Sequence, residues 1–209
     1  VATALAKVAQ GDREECTLWM KRFGQSGASD LRAAVGIAFS LCGDAELPLL
    51  PEEVGLLREQ LRSRDEWVAH SAVLGVRSIS KGDWRLTIDL LREVDLSISP
   101  KLTDEVFMSF TADDGDFLPV MTGEDVDAFL NALMGLPQLE GWWTETFLAA
   151  ISEKYAVRLS GFFMARVDHA ATVADWSYRP CNYGPYGHVP LRFRSSTDLV
   201  RSSLRFMFS

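Results

Sequence analysis

A run of amphipathic patterns at helical period fills about the first 170 residues of the chain. Apolar residues recur every three to four positions, as on the buried face of a helix. Short clusters of Gly, Pro, Asp and Ser separate one pattern from the next. We therefore expect a mainly all-α protein in which packed helices follow one another with short connections.

Start signals stand in front of most of these patterns. An Asp, Ser or Thr side chain there can accept a hydrogen bond from a free amide of the first turn, and a Pro is tolerated at the first helical position. The signals are Asp12, Ser29-Asp30, Pro51-Glu52, Asp65, Gly82-Asp83, Ser99-Pro100 and Thr122 with Glu124 and Asp125. Gly11, Gly43 and Pro137 mark ends.

The spacing of the predicted helix starts indicates how the helices are arranged. The first helices of successive pairs are predicted near positions 1, 29, 65, 101 and 139, in steps of about 28 to 38 residues, a spacing that two-helix repeat units share. The second helices are predicted near 12, 51, 83, 123 and 155. This regularity predicts about five stacked helical hairpins forming a short α-solenoid. An irregular helical bundle is the alternative.

Two segments carry a family resemblance. Asp30-Leu31-Arg32-Ala33-Ala34-Val35 resembles the start of a HEAT-type repeat helix, and Asp65 to Ala72 looks like a degenerate second copy. A third copy, near Lys101 to Phe107, departs from the pattern. The resemblance implies a HEAT-like α-solenoid, a fold that mostly serves binding and scaffolding.

The last part of the chain, 175–209, differs from the helical part, 1–174. It is rich in aromatic residues and Pro, and its five Arg against two Asp make it +3, which leaves −11 for the remainder because the whole chain carries −8. Val189 to Arg194 and Leu204 to Phe208 alternate apolar with polar residues and are predicted to be short strands of a β-hairpin. We expect 175–209 to be a capping segment packed on a helical-repeat domain, 1–174.

Charge, cysteines and targeting signals limit the setting. The net charge of −8 disfavours nucleic acid as a partner over the whole surface. No membrane-spanning stretch or signal peptide is recognisable, so we expect a cytoplasmic protein. The three cysteines, Cys16, Cys42 and Cys181, are widely spaced, which favours reduced thiols over a disulfide framework or a zinc site. Because the chain begins at Val1 inside a helical pattern, we expect the C-terminal fragment of a larger multidomain protein.

Catalytic and metal-binding motifs are weak. Asp113, Asp114, Asp116 and Glu124 fail as a calcium loop, because Gly115 and Leu118 occupy positions that require an oxygen ligand and a Gly. Asp168-His169, with Ser160 or Cys181 as a nucleophile, forms no recognisable motif. Gly24 to Gly27 lacks the Lys of a phosphate loop. We therefore predict no catalytic residue, no metal and no cofactor.

Aromatic and basic residues are the candidates for partner binding, because Trp, Tyr and Arg concentrate binding energy at protein interfaces. Adjacent helical residues point about 100° apart, so only one of Trp142 and Trp143 can face a given core. The predicted partner-binding residues are Trp143, Tyr183, Tyr186, His188, Arg192 and Arg194. The alternative for the C-terminal candidates is a capping loop packed over the last helices.

The function favoured by the sequence is a non-catalytic protein-interaction, sensor or scaffold module with a protein or peptide partner. Two alternatives stay open. One is a nucleic-acid-binding helical repeat that acts through the basic aromatic C-terminal segment, and the other is an enzyme with a site between the array and the C-terminal loop. The sequence leaves the oligomeric state open.

Overall fold

A computed structural model describes residues 1–42, 49–79, 83–111, 117–173 and 175–180. In these residues the chain forms ten helices and no strand, so the predicted all-α class is confirmed. The helices are α1 (Ala2–Gly11), α2 (Arg13–Gly24), α3 (Ser29–Cys42), α4 (Pro51–Leu61), α5 (Glu66–Ile79), α6 (Trp84–Leu91), α7 (Pro100–Thr111), α8 (Gly123–Met134), α9 (Trp142–Lys154) and α10 (Ala156–Thr172).

Local capping sets most helix starts. The Asp12 carboxylate accepts a hydrogen bond from the amide of Glu15 at 2.9 Å, and Asp83 accepts from that of Leu86 at the same distance. Thr122 caps α8 in the same way. Such caps satisfy amides that have no partner inside the helix. The predicted starts of α2, α6 and α8 are thereby confirmed.

Helix α3 begins near position 29 as predicted, but the predicted cap by Ser29 is not observed. Ser29 is the first residue of the helix, and its hydroxyl donates to the carboxylate of Asp65 instead of capping α3. That carboxylate also accepts from the amides of Trp67 and Val68 at the start of α5. The Ser29 hydroxyl has the largest effect on the pKa of Asp65 and lowers it. Burial opposes this effect, but the two amides and the Arg32 charge act with Ser29, so the pKa lies below its ordinary value. One side chain therefore both caps α5 and joins it to α3.

The chain divides into two compact units, and the division falls inside α7, between Ser109 and Phe110. In the first unit α1, α3 and α5 pack side by side in chain order, and α2, α4 and α6 do the same. Helices of consecutive hairpins also contact across the layers, as α2 with α3 and α4 with α5. This two-layer order is that of stacked hairpins.

The closest helix contact of the first unit joins α3 to α5. A Cβ on Gly36 would lie 2.6 Å from the backbone nitrogen of Ala72 and nearer still to the carbonyl of Ser71. A Cβ on Gly75 would lie 2.9 Å from the carbonyl oxygen of Gly36. Around them the contact faces are rich in Ala, so the two backbones approach at a distance that larger side chains prevent.

A partly buried ion pair joins α2 to α4. The Arg13 guanidinium donates twice to the Glu53 carboxylate, at 2.9 and 2.5 Å, and Thr17 donates to the same group at 3.3 Å. Glu53 is 4% exposed and also accepts from the amide of Leu50 at the start of α4. Burial raises the pKa of Glu53, but the bonds from Arg13, Leu50 and Thr17 together outweigh it, and the pKa lies below its ordinary value.

The Glu53 pair predicts a pH dependence of stability. A carboxyl whose pKa is lower in the folded chain stabilises the fold above its ordinary pKa of 4.5, and this contribution disappears as the pH falls through the folded pKa. We expect Glu53→Gln to lower the free energy of unfolding at pH 7 and to cost progressively less below pH 4.5. Urea unfolding of the wild type and the variant at pH 7, 5 and 3 measures the difference in their free energies of unfolding. An equal cost at all three values contradicts the prediction, and Glu59→Gln, an exposed change on the same helix, is the control.

In the second unit, four phenylalanines form the centre of the core. Phe110 lies between Phe117, Phe129 and Phe147, with ring centroids 5.2 to 5.5 Å apart. Edge and tilted aromatic contacts at such distances add to the free energy of burial. Helix α10 packs against α8 and α9, and residues 175–180 contact α8 and α10.

Several predictions fall outside the described residues. They are Gly43 as a helix end, the acidic turn at 113–116, Cys181, and the strands Val189 to Arg194 and Leu204 to Phe208. The division of the chain after residue 174 stays a prediction. Across the ranges described, no helix has the length and apolar character needed to span a membrane.

Candidate interaction surface

All six tryptophans lie in the described residues, and none belongs to the buried core. Trp19, Trp67, Trp142 and Trp176 are 37%, 47%, 58% and 90% exposed. Trp84 and Trp143 are half-buried. The core is built instead from Leu, Val, Ala and Phe. Because Trp is usually well buried in folded proteins, this distribution marks the helix surfaces as candidate interaction sites.

On α5 of the first unit, the exposed Trp67 pairs with the half-buried His70. Their rings stack at 6.1 Å with an interplanar angle of 16°. Residues three apart are neighbours on a helix surface, so this contact follows from the spacing. The inner face of α5, with Val68 and Ala72, is fully buried, which directs the pair away from the core.

At the start of α9, Gly141 has φ 143° and precedes the tryptophan pair. This backbone conformation is rarely adopted by residues with a side chain, so Gly is required there. Trp142 is the more exposed ring of the pair, whereas Trp143 is half-buried and in contact with other residues. Trp143 stays a predicted binding residue, and the structure adds Trp142 as a more accessible candidate.

Trp176 lies on a short turn that is held by its own hydrogen bonds. The Asp175 carboxylate accepts from the amide and the hydroxyl of Ser177, at 2.8 and 2.7 Å, and both bonds lower its pKa. The amide of Tyr178 donates to the Asp175 carbonyl at 3.1 Å. The turn thus exposes nine-tenths of an indole ring on an ordered backbone.

Arg166 anchors this turn to the helices. It is fully buried, and its guanidinium donates to the carbonyls of Leu133 and Met134, at 2.8 and 3.2 Å, and to those of Arg179 and Pro180, both at 3.0 Å. The first two carbonyls belong to the last turn of α8, which has acceptors without partners inside the helix and a partial negative charge. The arginine therefore ties residues 179–180 to the end of α8.

Tyr178 completes the anchor. The Arg166 Cζ lies 4.6 Å from the centroid of the Tyr178 ring, and the Tyr178 hydroxyl donates to the Met134 carbonyl at 2.9 Å. The His169 ring packs against the same ring in a T-shaped contact, with centroids 5.0 Å apart. The amide of Arg179 donates to the carbonyl of Pro137 at 2.7 Å. These contacts place the beginning of the C-terminal segment on α8 and α10.

Arg166 was not among the residues singled out from the sequence. One signal was available, because Leu159, Phe162 and Arg166 follow each other at helical spacing on α10 and the first two are buried. A basic residue on an apolar face indicates a buried cation with several acceptors around it. The other predicted binding residues, Tyr183, Tyr186, His188, Arg192 and Arg194, lie outside the described residues.

Of the groups considered for catalysis, Ser160, Asp168 and His169 all lie on α10, and Cys181 lies outside the described residues. His70 belongs to α5 of the first unit. Burial raises the pKa of the Cys16 thiol to about 11, and it raises that of Cys42 as well. Thiols with a raised pKa are protonated at neutral pH and are poor nucleophiles. Within the described ranges, no group of three or more His, Cys, Asp and Glu side chains is placed to hold a metal ion.

Comparisons with family models, with curated proteins and with solved structures each find no match for this chain. The resemblance to HEAT-type repeats therefore stays a prediction. The candidate site remains defined by its own geometry, which consists of exposed tryptophans on packed helices and a buried arginine that anchors a tryptophan-bearing turn.

Proposed function

We propose that this protein is a non-catalytic interaction module, of HEAT-like architecture and acting in the cytoplasm as a scaffold or sensor, which binds protein or peptide partners through exposed tryptophans. The observation that carries the proposal is the absence of all six tryptophans from the buried core. Trp is the residue type most enriched among those that dominate the free energy of protein binding. Its exposure is costly in water unless a partner covers the ring.

Order in the surrounding backbone supports this proposal. Trp142 follows Gly141, whose positive φ sets the backbone at the start of α9, and Trp176 lies on a turn anchored through Arg166 and Tyr178. A side chain held in place before binding loses less conformational entropy when a partner covers it. Tryptophans on such ordered elements are therefore suited to act as binding anchors.

The net charge indicates the class of partner. The chain carries −8, and the residues before 175 carry −11. A surface with excess negative charge attracts basic proteins and peptides and accelerates their association. We therefore expect partners with a basic surface around an apolar pocket.

Partner capture with matched variants tests the proposed function. Proteins retained by the immobilised chain are identified, and their affinities are then compared between the wild type, Trp142→Ala, Trp176→Ala and Val157→Ala. Removal of an anchor at the centre of an interface costs about 2 kcal/mol or more, or about a 30-fold loss of affinity. We expect that loss for at least one Trp variant. Val157 is 69% exposed, so its variant controls for loss of any exposed apolar group. Equal affinity in all four proteins contradicts the proposal.

A further inference from the structure

The outward face of α2 has an apolar centre with opposite charges on its two sides. Leu18 is 50% exposed, although it is a large aliphatic residue. Glu14 and Glu15 stand four and three residues before it, and Lys21 and Arg22 stand three and four residues after it. Residues at these spacings surround Leu18 on the helix surface, and all four charged side chains are exposed.

This face is directed away from the rest of the first unit. Arg13 and Thr17 contact Glu53 of α4, and Cys16 and Met20 are buried. At 100° per residue, Leu18 lies about 100° beyond Thr17 and on the opposite side from Met20. The Leu18 face is thus the side of α2 that neither α4 nor the core covers.

A second copy of the same face complements it in charge. When two α2 helices pack antiparallel about a two-fold axis through Leu18, Glu14 lies opposite the partner's Arg22 and Glu15 lies opposite the partner's Lys21, because each pair is centred on residue 18. Each interface contains every pair twice, as in isologous dimers. We propose that two copies of this chain associate antiparallel through the Leu18 face of α2.

Trp19 supplies a preformed apolar edge to this face. Its ring stacks on Phe23 at 5.9 Å, the Arg22 guanidinium lies 4.9 Å from its centroid, and its Nε1 donates to Glu15 at 3.4 Å. These contacts fix the indole, the guanidinium and the carboxylate next to Leu18. The face therefore presents ordered side chains to the partner copy.

The size of the face sets the strength of association. One surface of a helix of 12 residues buries little area, and interfaces below about 1,200 Å² form weak or transient complexes. The four charge pairs lie at the surface and are screened by salt. The dimer is thus expected at high protein concentration and at low ionic strength. The proposal is independent of the function proposed above, because partner binding through Trp142 or Trp176 can fail while the dimer still forms.

Charge exchange tests the geometry directly. Sedimentation equilibrium of the wild type is expected to show an average mass that rises with concentration from the monomer value of 23.3 kDa. Glu14→Lys with Glu15→Lys, and separately Lys21→Glu with Arg22→Glu, place like charges opposite each other and are each expected to be monomeric. An equimolar mixture of the two double variants restores opposite charges in every pair and is expected to regain the dimer.

A second pair of variants keeps the proposal falsifiable if charge exchange disturbs α2. Leu18→Ser is expected to abolish the rise in mass, whereas Leu41→Ser, which alters a side chain that is 52% exposed on α3, leaves it unchanged. Circular dichroism shows that each variant is folded. A wild type that stays monomeric at all concentrations overturns the proposal, as does a Leu41→Ser variant as defective as Leu18→Ser.

Discussion

Replacement of Arg166 with Met is expected to lower the free energy of unfolding by about 2–4 kcal/mol, because each buried acceptor that loses its donor costs about 1–3 kcal/mol. The change removes the guanidinium that donates to the carbonyls of Arg179 and Pro180, and it takes one of two donors from each of the carbonyls of Leu133 and Met134. It also removes the cation above the Tyr178 ring. Urea unfolding gives the free energy, and hydrogen exchange at residues 175–180 shows whether the turn is released.

Two variants control for the Arg166 result. Arg158 is an exposed arginine of the same helix and pairs with Asp127 at the surface, so Arg158→Met is expected to cost about 1 kcal/mol or less. Arg166→Lys keeps the charge but lacks the planar fork that reaches carbonyls on both sides, so it is expected to remain clearly destabilised. If Arg166→Met unfolds at the same urea concentration as Arg158→Met, the anchor contributes nothing to stability.

Gly36→Ala is expected to destabilise the first unit by about 1–3 kcal/mol, the usual range for an overpacked contact. The added methyl group would overlap the backbone of Ser71 and Ala72, so α3 and α5 must move apart. Because these atoms are backbone, rotation of a side chain cannot relieve the contact. Because helices favour Ala over Gly by about 1 kcal/mol, this preference offsets part of the destabilisation caused by the overlap. A fall in the midpoint of thermal unfolding measures the net effect.

The matched control for Gly36 lies on the next helix. A Cβ on Gly55 of α4 would meet nothing within 4 Å, so only the helix preference acts there. Gly55→Ala is therefore expected to stabilise the protein by about 0.5–1 kcal/mol. If Gly→Ala lowers the free energy of unfolding at position 36 and raises it at position 55, the loss at Gly36 comes from the contact between α3 and α5. Stabilisation by Gly36→Ala would contradict the close approach of α3 and α5.

Short-range signals in the sequence suffice to locate the helices of the described residues. Starts predicted near positions 12, 51, 83 and 123 are observed at Arg13, Pro51, Trp84 and Gly123. These starts depend on a cap or a proline beside an apolar pattern, and such interactions span only a few residues. The spacing between successive helix pairs can also be predicted from the sequence, because similar helix lengths and short loops produce it.

Which side chains those helices bury depends on contacts between distant parts of the chain. The hydroxyl of Ser29 bonds to Asp65, 36 residues away, instead of capping its own helix. Arg166 enters the core while Trp142 and Trp176 remain at the surface, against the usual preference of both residue types. Each outcome depends on groups that are distant in sequence and meet only after the helices pack. Neither hydrophobic periodicity nor local helix propensity can therefore predict these contacts.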